Sequence, residues 1–378
     1  MTAQVDPETR QVFRETVRRF VANEVEPHIE AWEEAHCFPR ELYARAGELG
    51  ILAVGFDPKY GGLPGTSQMI VELCEELAST GSGGLIAGLL SHAIGAPPIE
   101  ALGSEDLKTT VLTEILAGER ISALAVTEPG GGSDVANLTT IARREGDHYI
   151  VNGSKIFITS GMRADYITTA VRTGGPGMEG ISLLVIPGEA SGLTRTPLKK
   201  MGWWCSDTAA LYFDDCRVPA KFLLGQEGMG FLGLMHNFNR ERLFIAAMAY
   251  AFSNVCLQQS VEYARVRTTF GRPLIKRQVL RHKLVDMASR IAPLRSFLRE
   301  IGERIDAGEH PVADVCMLKN VATQCLEFCA KEAVQIFGGA GYMRGTKVER
   351  IYRETKVLSI GGGAEEVMKE LAARQLGW

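Results

Sequence analysis

The order of periodic patterns along this chain is the feature that most restricts its fold. Residues 1–120 carry apolar residues at helical spacing, 121–228 contain short apolar runs between turn clusters, and 229–378 return to long helical patterns. A simple doubly wound fold would alternate strand and helix throughout, so this order excludes it. The 378 residues are enough for two or three domains.

The predicted elements follow from caps, turns and periodicity. Asp6-Pro7 is a helix start, because a carboxylate can cap the first turn and proline needs no N–H partner there. Asn152-Gly153-Ser154 is a hairpin signal between two strands. Helices are predicted over 40–49, 67–79, 84–95, 105–117, 230–266, 276–307 and 311–337, and strands over 121–127, 148–151, 155–159, 166–171, 181–186 and 209–213.

These elements predict an α+β fold. It would have an N-terminal helical domain (residues 1–120), a middle antiparallel β-barrel or sandwich domain (121–228) and a C-terminal four-helix bundle (229–378).

Composition narrows the class of protein. A net charge of −4 gives no support to nucleic-acid binding. No uncharged apolar stretch reaches the ~18 residues of a membrane span, and residues 1–20 lack the apolar core of a signal peptide. Eight cysteines include no CxxC pair, so no metal site is predicted. We expect a soluble, cytoplasmic protein without nucleic-acid or membrane partners.

Two segments carry a chemical signal. ALAVTEPGGGSD (123–134) leaves an apolar strand and enters a Gly-rich turn, which presents Thr127 and leaves backbone amides open to an anion. KIFITSG (155–161) places Phe157 and Thr159 on one face of a strand. An aromatic face beside a hydroxyl suits a planar heteroaromatic ring.

With these two segments, the chain resembles the acyl-CoA dehydrogenase family over essentially its full length. The motifs FDPKYGG (56–62), GMGF (228–231), RTTFG (267–271), Gln278, QIFGGAGY (335–342) and IGGGAEE (360–366) occur in the family's order and spacing. The resemblance implies the same three-domain fold and FAD as cofactor.

The resemblance also implies roles in binding FAD. Thr127 would hydrogen-bond the flavin pyrimidine ring, Phe157 would flank the isoalloxazine, and Thr159 would sit near N5. Ser133 would contact the FAD phosphates or the thioester substrate, and Glu366 the FAD ribose. The adenine half of an FAD bound mainly to a neighbouring subunit would be held by Arg267, Phe270 and Gln278, together with Gln335, Gly338 and Gly339 of the partner subunit.

In the family, a glutamate removes the α-proton of the thioester while flavin N5 takes the β-hydride. Many members carry this base in the loop before the last helix, but here the matching position is Gly362. Isovaleryl-CoA and long-chain members carry it on the first long helix of the C-terminal domain, followed by arginine. Glu241 and Arg242 match that pair, so Glu241 is the predicted base, and Asn239, Arg242 and Gly362 are predicted to contact substrate.

The resemblance further implies acyl-CoA as substrate, electron-transfer flavoprotein as electron acceptor, and a homo-oligomer, typically a tetramer. Two enzymatic alternatives stay open, an acyl-CoA oxidase and a dehydrogenase acting on acyl groups held by a carrier protein. A third alternative is a helical binding protein that has lost its catalytic base.

Overall fold

The first part of the chain is helical, as its apolar periodicity predicts. The structure is a computed structural model that describes residues 5–378, apart from the side chain of His236. Asp6 caps the first helix, since its Oδ1 accepts a hydrogen bond from the N–H of Thr9 at 2.9 Å. The helices here are α1 Pro7–Phe20, α2 Ile29–Ala35, α3 Glu41–Glu48, α4 Ser67–Ala78, α5 Gly83–Leu89, α6 His92–Gly95, α7 Pro97–Leu102, α8 Glu105–Leu107 and α9 Thr113–Leu116. The helix predicted over 84–95 is therefore two helices, α5 and α6.

The middle of the chain forms a mixed β-sheet. Its strands are β1 Ser122–Ala125, β2 Ile141–Glu145, β3 His148–Thr159, β4 Tyr166–Arg172, β5 Ile181–Pro187, β6 Leu193–Pro197, β7 Thr208–Pro219 and β8 Leu223–Leu224. They lie in the order β6-β7-β3-β2-β4-β5-β8, and β1 pairs with β4. Strand β4 runs parallel to β1 and to β2, and the other pairings are antiparallel, so the sheet is not the purely antiparallel one predicted.

The hairpin predicted at residues 152–154 is wrong. Strand β3 continues through Gly153 and pairs with β7, with a register shift between Val151 and Gly153 that marks a β-bulge. Gly153 has a φ of 143°, and a Cβ there would lie 2.7 Å from the Cα of Thr140. Glycine therefore permits a close approach of the two backbones. Long-range pairing of β3 with β7 overrides the local turn signal.

Contacts divide the chain into two compact units, and the sheet belongs to the unit formed by Trp32–Gly65 and Gly84–Glu241. Alternate residues of β5 face opposite sides of the sheet. Leu183 and Val185 join an apolar cluster with helical residues such as Ile99, whereas Leu184 and Ile186 join the cluster on the other side. Strand β5 is buried on both faces, which explains its continuous apolar run.

The other unit, the helical unit, comprises Met1–Ala31, Thr66–Gly83 and Arg242–Trp378. In it, α12 (Val312–Phe337) packs against α11 (Gln278–Asp306), α14 (Lys347–Ile360) and α15 (Glu365–Leu376). Helix α4 packs against α1 and α11. The three long helices begin and end within two residues of their predicted bounds. The elements of the C-terminal part are α10 Gly230–Val266, β9 Thr268–Thr269, β10 Arg272–Pro273, α11 Gln278–Asp306, α12 Val312–Phe337, α13 Gly339–Tyr342, α14 Lys347–Ile360 and α15 Glu365–Leu376.

The cysteines, possible metal ligands and apolar helices of the described residues bear on the class of this protein. The eight cysteines are free thiols, and all but Cys37 are buried. Among residues 5–378, no three His, Cys, Asp or Glu side chains form a group that could hold a metal ion. No single helix in this range is long and apolar enough to cross a membrane, although α5 joined to His92–Leu102 meets the same criterion as a bent pair.

Candidate active site

The Gly-rich turn after β1 lies beside a second bulge of β3. The N–H of Ile156 donates to the carbonyl oxygen of Thr127 at 2.9 Å. The next residue, Phe157, has a φ of 63°, and its side chain is 67% exposed. A positive φ is costly for an aromatic residue, so the surrounding structure must hold it there. Thr127 and Phe157 are thus brought together, with the phenyl ring presented to solvent.

Thr159 and Ser133 extend the same region. Thr159 is half-buried at the end of β3, and Ile158, which separates it from Phe157, is buried. The bulge at Phe157 interrupts the alternation of the strand, so the predicted shared face of Phe157 and Thr159 does not follow from strand geometry. Ser133 is exposed in the turn, which folds back toward Thr127, since a Cβ at Gly132 would lie 3.3 Å from the Cγ2 of Thr127.

A buried ion pair supports both segments, and sequence reasoning missed it. Nζ of Lys155 donates to Oε1 of Glu128 at 2.8 Å and to the carbonyl oxygen of Val126 at 2.9 Å. Burial raises the pKa of Glu128, but Lys155 and the hydrogen bonds from Thr140 and Thr139 outweigh it and lower this pKa to about 2. The available signal was a lysine within the run YIVNGSKIFIT, where a buried charge needs a partner.

In the helical unit, the β9–β10 hairpin presents Phe270. Phe270 and Gly271 have φ values of 50° and 78°, as in a type I′ turn. The Phe270 side chain is 95% exposed, and the guanidinium of Arg277 lies 5.2 Å from the centroid of its ring. Arg267 and Gln278 are also exposed, Gln278 as the first residue of α11.

The end of α12 lies beside the end of α10. The rings of Tyr263 and Phe337 stack with centroids 4.1 Å apart, and the Tyr263 hydroxyl donates to the carbonyl oxygen of Phe337 at 3.2 Å. Gln335, Gly338 and Gly339, on either side of Phe337, are all exposed. A Cβ at either glycine would meet no atom of this chain within 4 Å. Packing within this chain therefore does not require glycine at positions 338 and 339.

Helix α10 carries the predicted base, and its next residue is bonded to the loop 361–363. Glu241 and Asn239 are half-buried on this helix. Arg242 is 5% exposed, and its Nε donates to the carbonyl oxygen of Gly362 at 3.2 Å. Gly362 has a φ of 65°, the left-handed region in which a side chain is strained. The structure thus brings Arg242 and Gly362 together within one unit.

The carboxylates after this loop are placed differently. Oε1 of Glu365 accepts hydrogen bonds from Nζ of Lys369 at 2.6 Å and from Nε2 of Gln324 at 2.7 Å. The hydrogen bond from Lys369 lowers the pKa of Glu365. Glu366 is exposed in the first turn of α15, whose N-cap residue, Ala364, supplies no side-chain hydrogen bond.

His92 on α6 is a core residue. It is buried, and its Nε2 lies 2.8 Å from the carbonyl oxygen of Leu52. Burial lowers the pKa of His92 to about 4, so the imidazole is neutral at neutral pH. A neutral imidazole that is bonded to the backbone serves packing rather than charge.

Comparison with family models covers nearly the whole chain. The N-terminal domain of acyl-CoA dehydrogenases matches residues 7–119, the middle domain residues 123–216 and the C-terminal domain residues 228–377. These matches confirm the predicted family and the predicted fold class.

Individual proteins show the same relationship. The mitochondrial long-chain specific acyl-CoA dehydrogenase of Sus scrofa is 35% identical over 370 residues, which cover 97% of this chain and 86% of that protein. The crystal structure of acyl-CoA dehydrogenase from Geobacillus kaustophilus is 39% identical and superimposes with a TM-score of 0.95 over 100% of both chains. The glutaryl-CoA dehydrogenase from Mycobacterium smegmatis in complex with FADH2 is 26% identical, with a TM-score of 0.90 over 98% of this chain and 95% of that chain. The chain therefore belongs to the acyl-CoA dehydrogenase family, as an FAD-dependent oxidoreductase that dehydrogenates acyl-CoA thioesters.

Proposed function

We propose that Glu241 is the catalytic base of this enzyme and takes the α-proton of the acyl-CoA thioester. The observation that carries this proposal is the loop position at which many relatives keep their base. Gly362 stands there with a φ of 65° and no side chain, and Arg242, the residue after Glu241, is bonded to its carbonyl oxygen at 3.2 Å. When bound, FAD supplies the hydride acceptor for the β-carbon, so the product is a trans-2-enoyl thioester.

The environment of the candidate carboxylates favours Glu241. A general base works best with a pKa near the operating pH, and an acyl chain that expels water raises the pKa of a carboxylate. Glu241 is half-buried in the N-terminal third of α10. The hydrogen bond from Lys369 lowers the pKa of Glu365, which makes Glu365 the weaker base for this proton. Glu366 is exposed in the first turn of α15.

Substrate contacts are proposed around the base and the loop. Gly362 offers only backbone groups to a substrate. Because its carbonyl oxygen accepts a hydrogen bond from Arg242, the N–H of Gly362 is the group available to polarise a thioester carbonyl. Asn239 lies two residues before Glu241 on α10, and Ser133 lies exposed in the Gly-rich turn. We assign these four residues to substrate binding.

The sheet-containing unit has features that suit the flavin. Phe157 offers an exposed ring from a strained backbone position beside Thr127, and such strain is expected at functional sites. We propose that Phe157 flanks the isoalloxazine, Thr127 bonds the pyrimidine ring and Thr159 lies near N5. Ser133 would also reach the FAD phosphates.

The helical unit has features that suit the adenine half of FAD. Phe270 is exposed at a strained turn, and the space at Gly338 and Gly339 is not filled by this chain. We propose that Arg267, Phe270 and Gln278 bind this half together with Gln335, Gly338 and Gly339 of the partner subunit, and that Glu366 contacts the ribose. A cofactor shared between subunits requires at least a dimer. We propose that the oligomer is a tetramer.

We further propose electron-transfer flavoprotein as the electron acceptor, as the family resemblance implies. Two simple observations separate this proposal from the alternatives. Oxygen consumption on addition of acyl-CoA would identify an oxidase instead. A purified protein without a yellow flavin band would contradict the enzymatic assignment altogether.

Glu241→Gln tests the base directly, with Glu365→Gln as the matched control. Both substitutions keep the size of the side chain and remove one negative charge. Each variant is mixed anaerobically with a panel of straight-chain and branched acyl-CoAs, and the bleaching of the flavin is followed. We expect Glu241→Gln to retain FAD but to bleach at least ~100-fold more slowly, since a positioned base contributes about 10²–10⁴-fold.

Glu365→Gln is expected to bleach at the wild-type rate. Bleaching of Glu241→Gln at the wild-type rate, or loss of bleaching only in Glu365→Gln, would show that Glu241 is not the base. The panel also reports which acyl chain the enzyme prefers.

A further inference from the structure

The ion pair between Lys155 and Glu128 is buried, and Lys155 and two threonines donate hydrogen bonds to the Glu128 carboxylate. The Lys155 side chain is 0% exposed and that of Glu128 is 6% exposed. Oε2 of Glu128 accepts from the N–H of Thr139 at 2.6 Å and from its hydroxyl at 2.7 Å, and Oε1 accepts from the N–H of Thr140 at 2.9 Å. A buried network of this kind rigidifies the segments that it joins, and the loss of one charged member leaves a costly unpaired group.

The contacts of Lys155 enclose Thr127. Its Nζ bonds the carbonyl oxygen of Val126 and the carboxylate of Glu128, the residues immediately before and after Thr127. On β3, the residue after Lys155 is Ile156, whose N–H donates to the carbonyl oxygen of Thr127 at 2.9 Å. Three hydrogen bonds from two consecutive residues of β3 therefore fix Thr127 and its neighbours.

The same lysine begins the bulge that presents Phe157. The register with β7 shifts between Lys155 and Ile158, both of which are buried, while Phe157 is exposed. Its positive φ is costly for a residue other than glycine and persists only where the surroundings fix the backbone. The buried anchor of Lys155, two residues before Phe157, supplies such a constraint.

We propose that Lys155 and Glu128 are positioning residues that hold Thr127 and Phe157 at the spacing that the flavin requires. This inference rests on the proposed flavin contacts of Thr127 and Phe157 and is independent of Glu241. Because both side chains of the pair are buried, they act through their neighbours. The pair therefore controls FAD retention and the flavin spectrum, and leaves the KM for acyl-CoA unchanged.

The direct test replaces the ion pair by an amide pair, Lys155→Gln/Glu128→Gln, which removes both buried charges at once. The matched control is Lys221→Gln/Asp106→Asn, an exposed pair of the same unit with 3.9 Å between its charged atoms. We expect the dissociation constant of FAD to rise at least about tenfold in the amide pair, the magnitude typical of losing a supporting shell. The visible absorption band of the flavin should shift as well, and the control should keep the wild-type values.

Thr139→Val is a milder second variant that decides the question if the amide pair does not fold. It removes only the hydroxyl that donates to Glu128 at 2.7 Å. Its control is Thr194→Val, which changes an exposed threonine on β6. We expect Thr139→Val to shift the flavin band and to speed FAD release in the same direction, by a smaller factor.

A wild-type flavin band and wild-type FAD affinity in the folded amide pair would overturn the proposal, even if the melting temperature falls. If the amide pair does not fold, the same result in Thr139→Val would overturn it. Neither readout depends on the catalytic base, so failure of the Glu241 assignment would leave these measurements unchanged.

Discussion

Replacing Lys319 by methionine is expected to destabilise the helical unit and loosen the loop 361–363. Lys319 is buried on α12, and its Nζ donates to the carbonyl oxygen of Ser359 at 2.9 Å and to that of Gly363 at 2.7 Å. Ser359 lies in the last turn of α14, where carbonyl groups have no partner within the helix and a cation is favoured. Methionine keeps most of the length of the side chain but supplies no donor.

The expected loss follows from these two hydrogen bonds. A hydrogen bond to a charged group contributes about 1.5–3 kcal/mol. The substitution also removes the desolvation cost of the buried ammonium, which offsets part of the two hydrogen-bond contributions. We therefore expect the free energy of unfolding to fall by about 2–4 kcal/mol. In a domain of ordinary size this corresponds to a decrease in Tm of roughly 5–15 °C. The kcat/KM for acyl-CoA should fall too, because Gly362 lies next to the released carbonyl.

Thermal unfolding of the FAD-saturated enzyme and steady-state kinetics measure the two effects. The matched control is Lys369→Met, since Lys369 is 64% exposed and pairs with Glu365 across one turn of α15. A surface pair of this kind contributes about 0.3–0.5 kcal/mol, so the control should remain close to wild type. If Lys319→Met unfolds at the temperature of the control and keeps its kcat/KM, the carbonyl contacts of Lys319 do not hold the loop.

Two smaller effects concern Gly362 and His92. In a Glu241→Gln background, Gly362→Glu should speed anaerobic flavin reduction only slightly and well below the wild-type rate, because a side chain at a φ of 65° costs about 1–2 kcal/mol. Recovery of the full rate would contradict this cost. The pKa of His92 is about 4 in the folded protein against 6.5 in its ordinary state, so the unfolded chain binds the proton first and stability falls as pH drops from 6.5 to 4. Across this window, Tm should fall more steeply for the wild type than for His92→Asn, and equal slopes would refute the assignment.

The sequence predicted the long helices well and the bulged strand badly, for one physical reason. α10, α11 and α12 are specified by local periodicity over many turns, so their bounds were readable. Asn152-Gly153-Ser154 has the local chemistry of a turn, but β3 pairs with β7 about sixty residues later along the chain. A short motif does not predict strand pairing over such a separation. This pairing determines the conformation of Gly153.

The site shows the same division between local and long-range information. Thr127, Phe157 and Phe270 were recognisable from motifs, yet the positive φ of both phenylalanines became visible only in the structure. Lys155 was equally visible as a charge in an apolar run, but its partner, Glu128, lies on another segment. Pairing of that kind depends on how β1 and β3 are placed, which the sequence does not state.

The conformation of the loop 361–363 supports the proposal that the base lies on another element. Gly362 and Gly363 have φ values of 65° and 109°, and a Cβ at Gly363 would lie 2.4 Å from the Cε of Met368. A loop with these angles is suited to presenting backbone groups, and a side chain at either position would strain it. Arg242, which follows Glu241 on α10, donates a hydrogen bond to the carbonyl oxygen of Gly362. Under our proposal, the loop would supply backbone groups to the substrate and Glu241 would remove the proton.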